Sequence, residues 1–134
     1  MTDQTSILHR FVEVLNTGRA DDLAGLLTED YVQHHAGGPA GRDGVIRYFQ
    51  AIFDGFPGGR TTLEDLITDG VSLVGRVSFK GRHDGVFMDV EPTGREVEIR
   101  TLDIWRSRDG KLAEHWGETN IAEVVAGLRK PEAR

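Results

Sequence analysis

The sequence predicts an α+β domain: a curved, mostly antiparallel sheet closing as a cone, with N-terminal helices packed on its concave face. Two observations predict it. Apolar residues recur at helical spacing up to about residue 56 and in alternation beyond residue 60. Asp69-Gly70 and Asp109-Gly110 then cut the alternating region into hairpins. At 134 residues, the chain fits one domain over positions 1–134. A domain of that size buries about two-thirds of its unfolded surface and has room for one small-molecule pocket.

The elements follow in order. Ile7, Leu8, Phe11, Val12 and Leu15 form one helical stripe, stopped by Thr17-Gly18. His9 falls on the outer side of that helix. A second short helix carries Leu23, Leu26 and Leu27, with Asp21 and Asp22 suited to its first turn. Tyr31-Val32-Gln33-His34 is a short extended piece, and Gly37-Gly38-Pro39 is a loop. A third helix follows Gly41, with Val45, Ile46, Phe49, Ile52 and Phe53 on its apolar side, and Pro57-Gly58-Gly59 ends it. Thr62 to Thr68 and Val71 to Phe79 read as a hairpin. Gly81 to Gly94 reads as a longer loop or an irregular strand, with a turn at Pro92-Thr93-Gly94. A second, longer hairpin runs from about Glu96 to Asn120. Ile121, Val124, Val125 and Leu128 suggest a closing helix before Lys130-Pro131.

Composition narrows the partners. A formal charge of −6 argues against nucleic acid and anionic membranes. Zero cysteines remove thiolate nucleophiles, disulfides and cysteine metal sites. The start of the chain has no basic-then-apolar signal, and no apolar run reaches the ~18 residues needed to span a bilayer. A cytoplasmic location is the resulting expectation. The sequence has no Gly-rich phosphate loop, no Gly-x-Ser-x-Gly elbow and no metal-ligand spacing among its five histidines. The expectation is a protein without metal or organic cofactor, although His34, His83 and Asp103 together could make a two-His-plus-carboxylate site.

The most informative stretch is the second hairpin. Aspartate is depleted in strands, so Asp103 in mid-strand either meets solvent or lines a cavity. A three-residue loop Arg108-Asp109-Gly110 would pair Ser107 with Lys111 and set Asp103 opposite His115, Trp105 opposite Ala113 and Thr101 opposite Gly117. One face then holds Thr101, Asp103, Trp105, His115 and Gly117. The other holds Leu102, Ile104, Leu112 and Trp116 among Arg100, Arg106, Glu114 and Glu118. A two-residue loop Asp109-Gly110 would instead shift the register by one and set Asp103 against Trp116. The plain alternative for Asp103 with His115 is an exposed ion pair, worth little.

If the sheet and helices close as a cone, Asp103, His115, His34 and His83 can converge as acid–base groups. Gln33 and Thr101 would add hydrogen bonds. Phe49, Phe53, Phe56, Phe87, Met88 and Trp105 would supply apolar walls, although ordinary core packing accounts better than pocket lining for the aromatic residues of the third helix. His34 and His35 are adjacent, so only one of them can face inward. His83 beside Asp84-Gly85 reads as a loop histidine or a pocket one.

The chain resembles the SnoaL-like polyketide cyclase family, within the nuclear transport factor 2-like superfold, over roughly residues 5 to 128. The resemblance rests on Tyr31-Val32-Gln33-His34, on Gly41-Arg42-Asp43-Gly44 before an apolar helix, and on Pro92-Thr93-Gly94-Arg95 before a strand. It rests further on Asp103-Ile104-Trp105-Arg106 through Asp109-Gly110-Lys111 to Glu114-His115-Trp116. It implies a hydrophobic pocket in a usually dimeric protein, and ring closure by an intramolecular aldol reaction without cofactor. In ring-closing members the catalytic carboxylate directly follows the Glu-His-Trp segment. Here that position is Gly117, which leaves Asp103 on the partner strand as the nearest replacement.

The expected function is therefore a cofactor-independent acid–base enzyme on a hydrophobic, carbonyl-bearing, polyketide-like molecule, catalysing aldol-type cyclisation or isomerisation. Asp103 would take a proton next to a carbonyl, and His115 or His34 would hydrogen-bond the enolate oxygen. Gln33, Thr101, Trp105, His83, Phe49, Phe53, Phe87 and Met88 would hold the substrate. Epoxide opening, other hydrolysis or cofactor-free hydroxylation in the same pocket is the alternative, favoured by an arginine beside Asp103. A non-catalytic binding or dimerisation module is a further one. The apolar residues of the hairpin's other face predict a homodimer through the outer sheet surface.

Overall fold

The computed structural model describes residues 4–34 and 41–131. Helix α1 (Gln4–Leu15) buries Ile7, Leu8, Phe11 and Leu15, while His9 stays exposed. Thr17 Oγ1 donates to the Val14 carbonyl at 2.7 Å, and Gly18 takes a left-handed φ of 77°, so the helix stops where the sequence indicates. Asn16 then accepts from the Thr61 amide and donates to the Thr61 carbonyl, at 2.7 and 2.9 Å, which ties this end of α1 to the sheet.

The second helix is a 3-10 turn, Ala20–Gly25, with Asp21 and Asp22 in its first turn. Leu27 was expected on it but instead opens β1 (Leu27–His34). The extended piece at Tyr31 is thus the end of an eight-residue strand. Helix α2 (Gly41–Gly55) follows, then β2 (Arg60–Thr68), β3 (Ser72–Arg82), β4 (Glu96–Arg108), β5 (Lys111–Thr119) and α3 (Ile121–Arg129). The loop expected at Gly37-Gly38-Pro39, and His35, lie outside the described residues.

The five strands form one sheet in the order β1-β5-β4-β3-β2. Four of them make two antiparallel hairpins, and β1 pairs with β5 in parallel. Alternation in β4 is clean: Ile99, Asp103 and Trp105 are buried, while Arg100, Leu102, Ile104 and Arg106 are exposed. The inner face meets α1 and α2, and their apolar stripes join it in one core. No described helix is long and apolar enough to cross a membrane.

The turn of the long hairpin corrects the expected register. Asp109 and Gly110 both have left-handed φ, 54° and 77°, the signature of a two-residue turn that pairs Arg108 with Lys111. The ladder then slips between Ser107↔Leu112 and Arg106↔Glu114, leaving Ala113 as an extra residue in β5. Beyond the bulge Trp105 pairs with His115, Asp103 with Gly117 and Thr101 with Thr119. Each partner is displaced by two residues from the first expectation. Strand period is two, so the expected inner-face set survives intact. Leu112 does not follow: it lies on the turn side of the bulge, pairs with Ser107 and Leu27, and is fully buried rather than on the outer face.

Candidate active site

Asp103 projects from the middle of β4 into a cavity of about 110 Å³ between the sheet and helices α1 and α2. It is 6 % exposed and its carboxylate is doubly held. Thr101 Oγ1 donates to Oδ2 at 2.5 Å, and His115 Nε2 meets Oδ1 at 2.7 Å. His115 is buried beside it, with its ring 5.1 Å from that of Trp105. His115 Nδ1 is buried with no hydrogen-bond partner among the described residues. The tautomer protonated at Nε2 therefore suits the site: it donates to Asp103 and leaves no N–H without an acceptor.

Glycine makes room for this arrangement on both sides. Asp103 pairs with Gly75 on β3 and with Gly117 on β5. A Cβ at Gly75 would meet Trp105 Cζ3 at 3.0 Å, and one at Gly117 would meet Asp103 Oδ1 and His115 Cε1, each at 2.8 Å. The space beside Gly117 is therefore already filled by the Asp103–His115 pair.

A second polar chain enters from β1. Tyr31 Oη donates to Gln33 Oε1 at 2.9 Å, and Trp105 hydrogen-bonds the Tyr31 oxygen. Burial, reinforced by the negative charge of Asp103, pushes the Tyr31 phenol far above its ordinary range. Tyr48 on α2 is affected by the same two causes and is pushed up to about 12. The remaining wall is apolar, with Phe49 packed edge-on to Phe11 at 5.8 Å and stacked near Phe53 at 6.4 Å.

Of the residues expected here, Asp103, His115, Gln33, Thr101, Trp105, Phe49 and Phe53 line this one cavity. Five others lie elsewhere. His34 is on the outer face because Gln33 before it points inward; it stacks on Trp116 at 4.7 Å and its Nε2 meets Glu114 at 2.7 Å. His83 is fully buried behind the cavity, with Nδ1 bound by the Thr93 hydroxyl and amide, and its ring is 5.5 Å from Phe56. Phe87 is core, packed on Phe56 at 5.1 Å, and Met88 is exposed in the loop. Phe56 itself packs with Phe79 and Phe87 rather than forming a cavity wall. The contemplated metal set of His34, His83 and Asp103 is thus dispersed, and no group of three or more potential metal-binding residues occurs among the described residues. The sequence reading missed Tyr31, Tyr48, Thr61 and Thr119 as polar cavity residues. Tyr48 stands three residues after Val45 and four before Ile52, so the helical stripe held the signal.

The sheet and helices α1 and α2 thus enclose an apolar cavity with a clamped carboxylate at its wall. The chain belongs to the SnoaL-like polyketide cyclase family, whose profile matches residues 5–128. Relatives include aklanonic acid methyl ester cyclase DauD of Streptomyces sp. (strain C5), 25% identical over 124 residues, covering 86% of this chain and 74% of that one. DnrD of Streptomyces peucetius, a cyclase of the same name, is also 25% identical and is covered to 83%. Among solved structures, IdmH, a putative polyketide cyclase from Streptomyces antibioticus, superposes with a TM-score of 0.78 at 29% identity, covering 95% of this chain and 99% of that one. AclR, a putative hydroxylase from Streptomyces galilaeus, shares the fold with a TM-score of 0.85 at 20% identity, over 98% and 84% of the two chains.

Proposed function

We propose that this protein closes a ring in a polyketide-like ester or ketone by an intramolecular aldol reaction, with Asp103 as the base and no cofactor. The observation that carries this reading is the carboxylate of Asp103, the only one among the described residues lining the cavity, held by Thr101 and His115 and facing a mostly apolar space. Each carboxylate oxygen accepts one protein hydrogen bond and keeps a further lone pair. One of these takes the proton next to a substrate carbonyl, and the C–H electron pair becomes the enolate. The enolate carbon attacks a second carbonyl in the same molecule, forming the new C–C bond. The resulting alkoxide recovers the proton from Asp103, so the product is an isomer of the substrate.

His115 is a positioning residue in this scheme. Its Nε2–H is committed to Asp103, and its other nitrogen is buried. Gln33, fixed by Tyr31, offers its amide N–H groups to the substrate. No arginine lines the cavity among the described residues, which gives the epoxide-opening alternative no support. The outer sheet face supports a homodimer: Ile67, Val74, Ile104 and Trp116 pair in one apolar row across four strands, with Ile104 41% and Leu102 59% exposed.

The test is Asp103→Asn with aklanonic acid methyl ester as the first probe. The Asn carboxamide oxygen can accept from His115, and its NH2 can donate to the Thr101 hydroxyl once that rotates. The fold should therefore hold while kcat falls by at least ~10²-fold. Near-full turnover by the variant would refute the base.

A further inference from the structure

We propose that Tyr48 donates the hydrogen bond that holds the reacting carbonyl and stabilises its enolate. This rests on the ring-closing reading above, which needs a donor for the enolate oxygen as well as a base.

The donors in the cavity can be accounted for one by one. The Thr101 hydroxyl and His115 Nε2 are both spent on Asp103. The Tyr31 hydroxyl is spent on Gln33, and the Trp105 indole on Tyr31. Thr119 Oγ1 has no partner among the described residues but is buried out of reach of a ligand, and so is His115 Nδ1. His34, which the sequence offered for this role, is on the other side of the sheet. Among the described residues that line the cavity, three donors remain: the Gln33 amide, the Thr61 hydroxyl and the Tyr48 hydroxyl. The last makes no hydrogen bond to any described residue.

Placement favours Tyr48. Gln33 pairs with His115 and Thr61 belongs to β2 of the same sheet, so both stand on the sheet wall that already carries the base. Tyr48 stands on α2, across the cavity from that sheet. A base and a donor on opposite walls can engage different atoms of one substrate, the α-carbon and the carbonyl oxygen, without competing for space. A phenol is also a stronger acid than an amide, so its hydrogen bond gains more as negative charge grows on the oxygen. Burial and the charge of Asp103 keep the Tyr48 proton in place at neutral pH, as a donor requires.

The experiment measures binding of 2-acetylnaphthalene, an aryl ketone, and of its oxygen-free counterpart 2-ethylnaphthalene, to wild type, Tyr48→Phe and Gln33→Leu. The infrared carbonyl band of the bound ketone should lie below its position in an apolar solvent. Tyr48→Phe should move it back up and weaken ketone binding by about fivefold, the share of one neutral hydrogen bond. Affinity for 2-ethylnaphthalene should not change, because the ring packing on Phe49 is kept. A carbonyl band insensitive to Tyr48→Phe, or one moved only by Gln33→Leu, would overturn the proposal. No proton is transferred in this measurement. A failed Asp103 assignment would therefore leave its result standing, and the two readings fall separately.

Discussion

Gly117 and Asp103 face each other directly across β5 and β4, and a Cβ on the glycine would sit 2.8 Å from Asp103 Oδ1. The absent side chain at one position and the carboxylate at the other are a single arrangement. Gly117→Ala must push the Asp103–His115 pair aside. It should destabilise the fold by roughly 1–3 kcal/mol, the usual cost of overpacking, and lower turnover as well. Denaturant midpoints and steady-state rates on the same samples check both effects. Unchanged values for the two would show that the pair can move freely.

Thr101→Val keeps the shape of the side chain and removes one of the two donors to Asp103. A hydrogen bond to a charged group typically contributes about 1.5–3 kcal/mol, and a loss of stability in that range is expected. With the carboxylate less firmly aimed, kcat should fall while KM changes little, which initial-rate kinetics would read.

Both tyrosines of the chain, Tyr31 and Tyr48, line the cavity, so a tyrosine titration reports on the site alone. Ultraviolet difference spectra of the folded protein should show no phenol ionising near its ordinary value of 10.0, and Tyr48 ionising near 12. In the unfolded chain the same group ionises at the ordinary value. Its contribution to stability is therefore complete below pH 10.0 and is lost as the pH rises towards about 12. Tyr48→Phe should flatten part of that alkaline decline in unfolding free energy.

The row Ile67, Val74, Ile104 and Trp116 is the proposed dimer surface. Ile104→Lys, at its centre, should yield a monomer by sedimentation with the cavity intact. A wild-type protein that sediments as a monomer at micromolar concentration would remove this proposal.

Much of this was legible in the sequence, for reasons that particular residues make clear. Asp103, Trp105 and His115 could be put on one face from parity alone, although the pairing was wrong by two residues. Parity tolerates an even error. Leu112 shows the limit: a bulge at Ala113 changes the face of everything on the turn side of it, and nothing in Lys111-Leu112-Ala113 marks a bulge. His34 and Gln33 could not be told apart, because alternation says that neighbours oppose each other without saying which one turns inward. Tyr48 was missed for another reason. A helix stripe marks residues that leave water, and whether they meet core or cavity depends on the sheet opposite.

The parallel pairing of β1 with β5 also bears on how the molecule moves. His34 meets Glu114 across 80 positions of chain, whereas the two hairpins close through turns of two or three residues. Closing the long loop costs more entropy, and β1 is an edge strand held from one side only. Its amides should exchange with deuterium sooner than those of β3 and β4, which are paired on both sides. The wall that carries Tyr31 and Gln33 would then be the part that loosens first, giving a bulky ring system a way in and its product a way out while Asp103 keeps its place on the rigid strands behind.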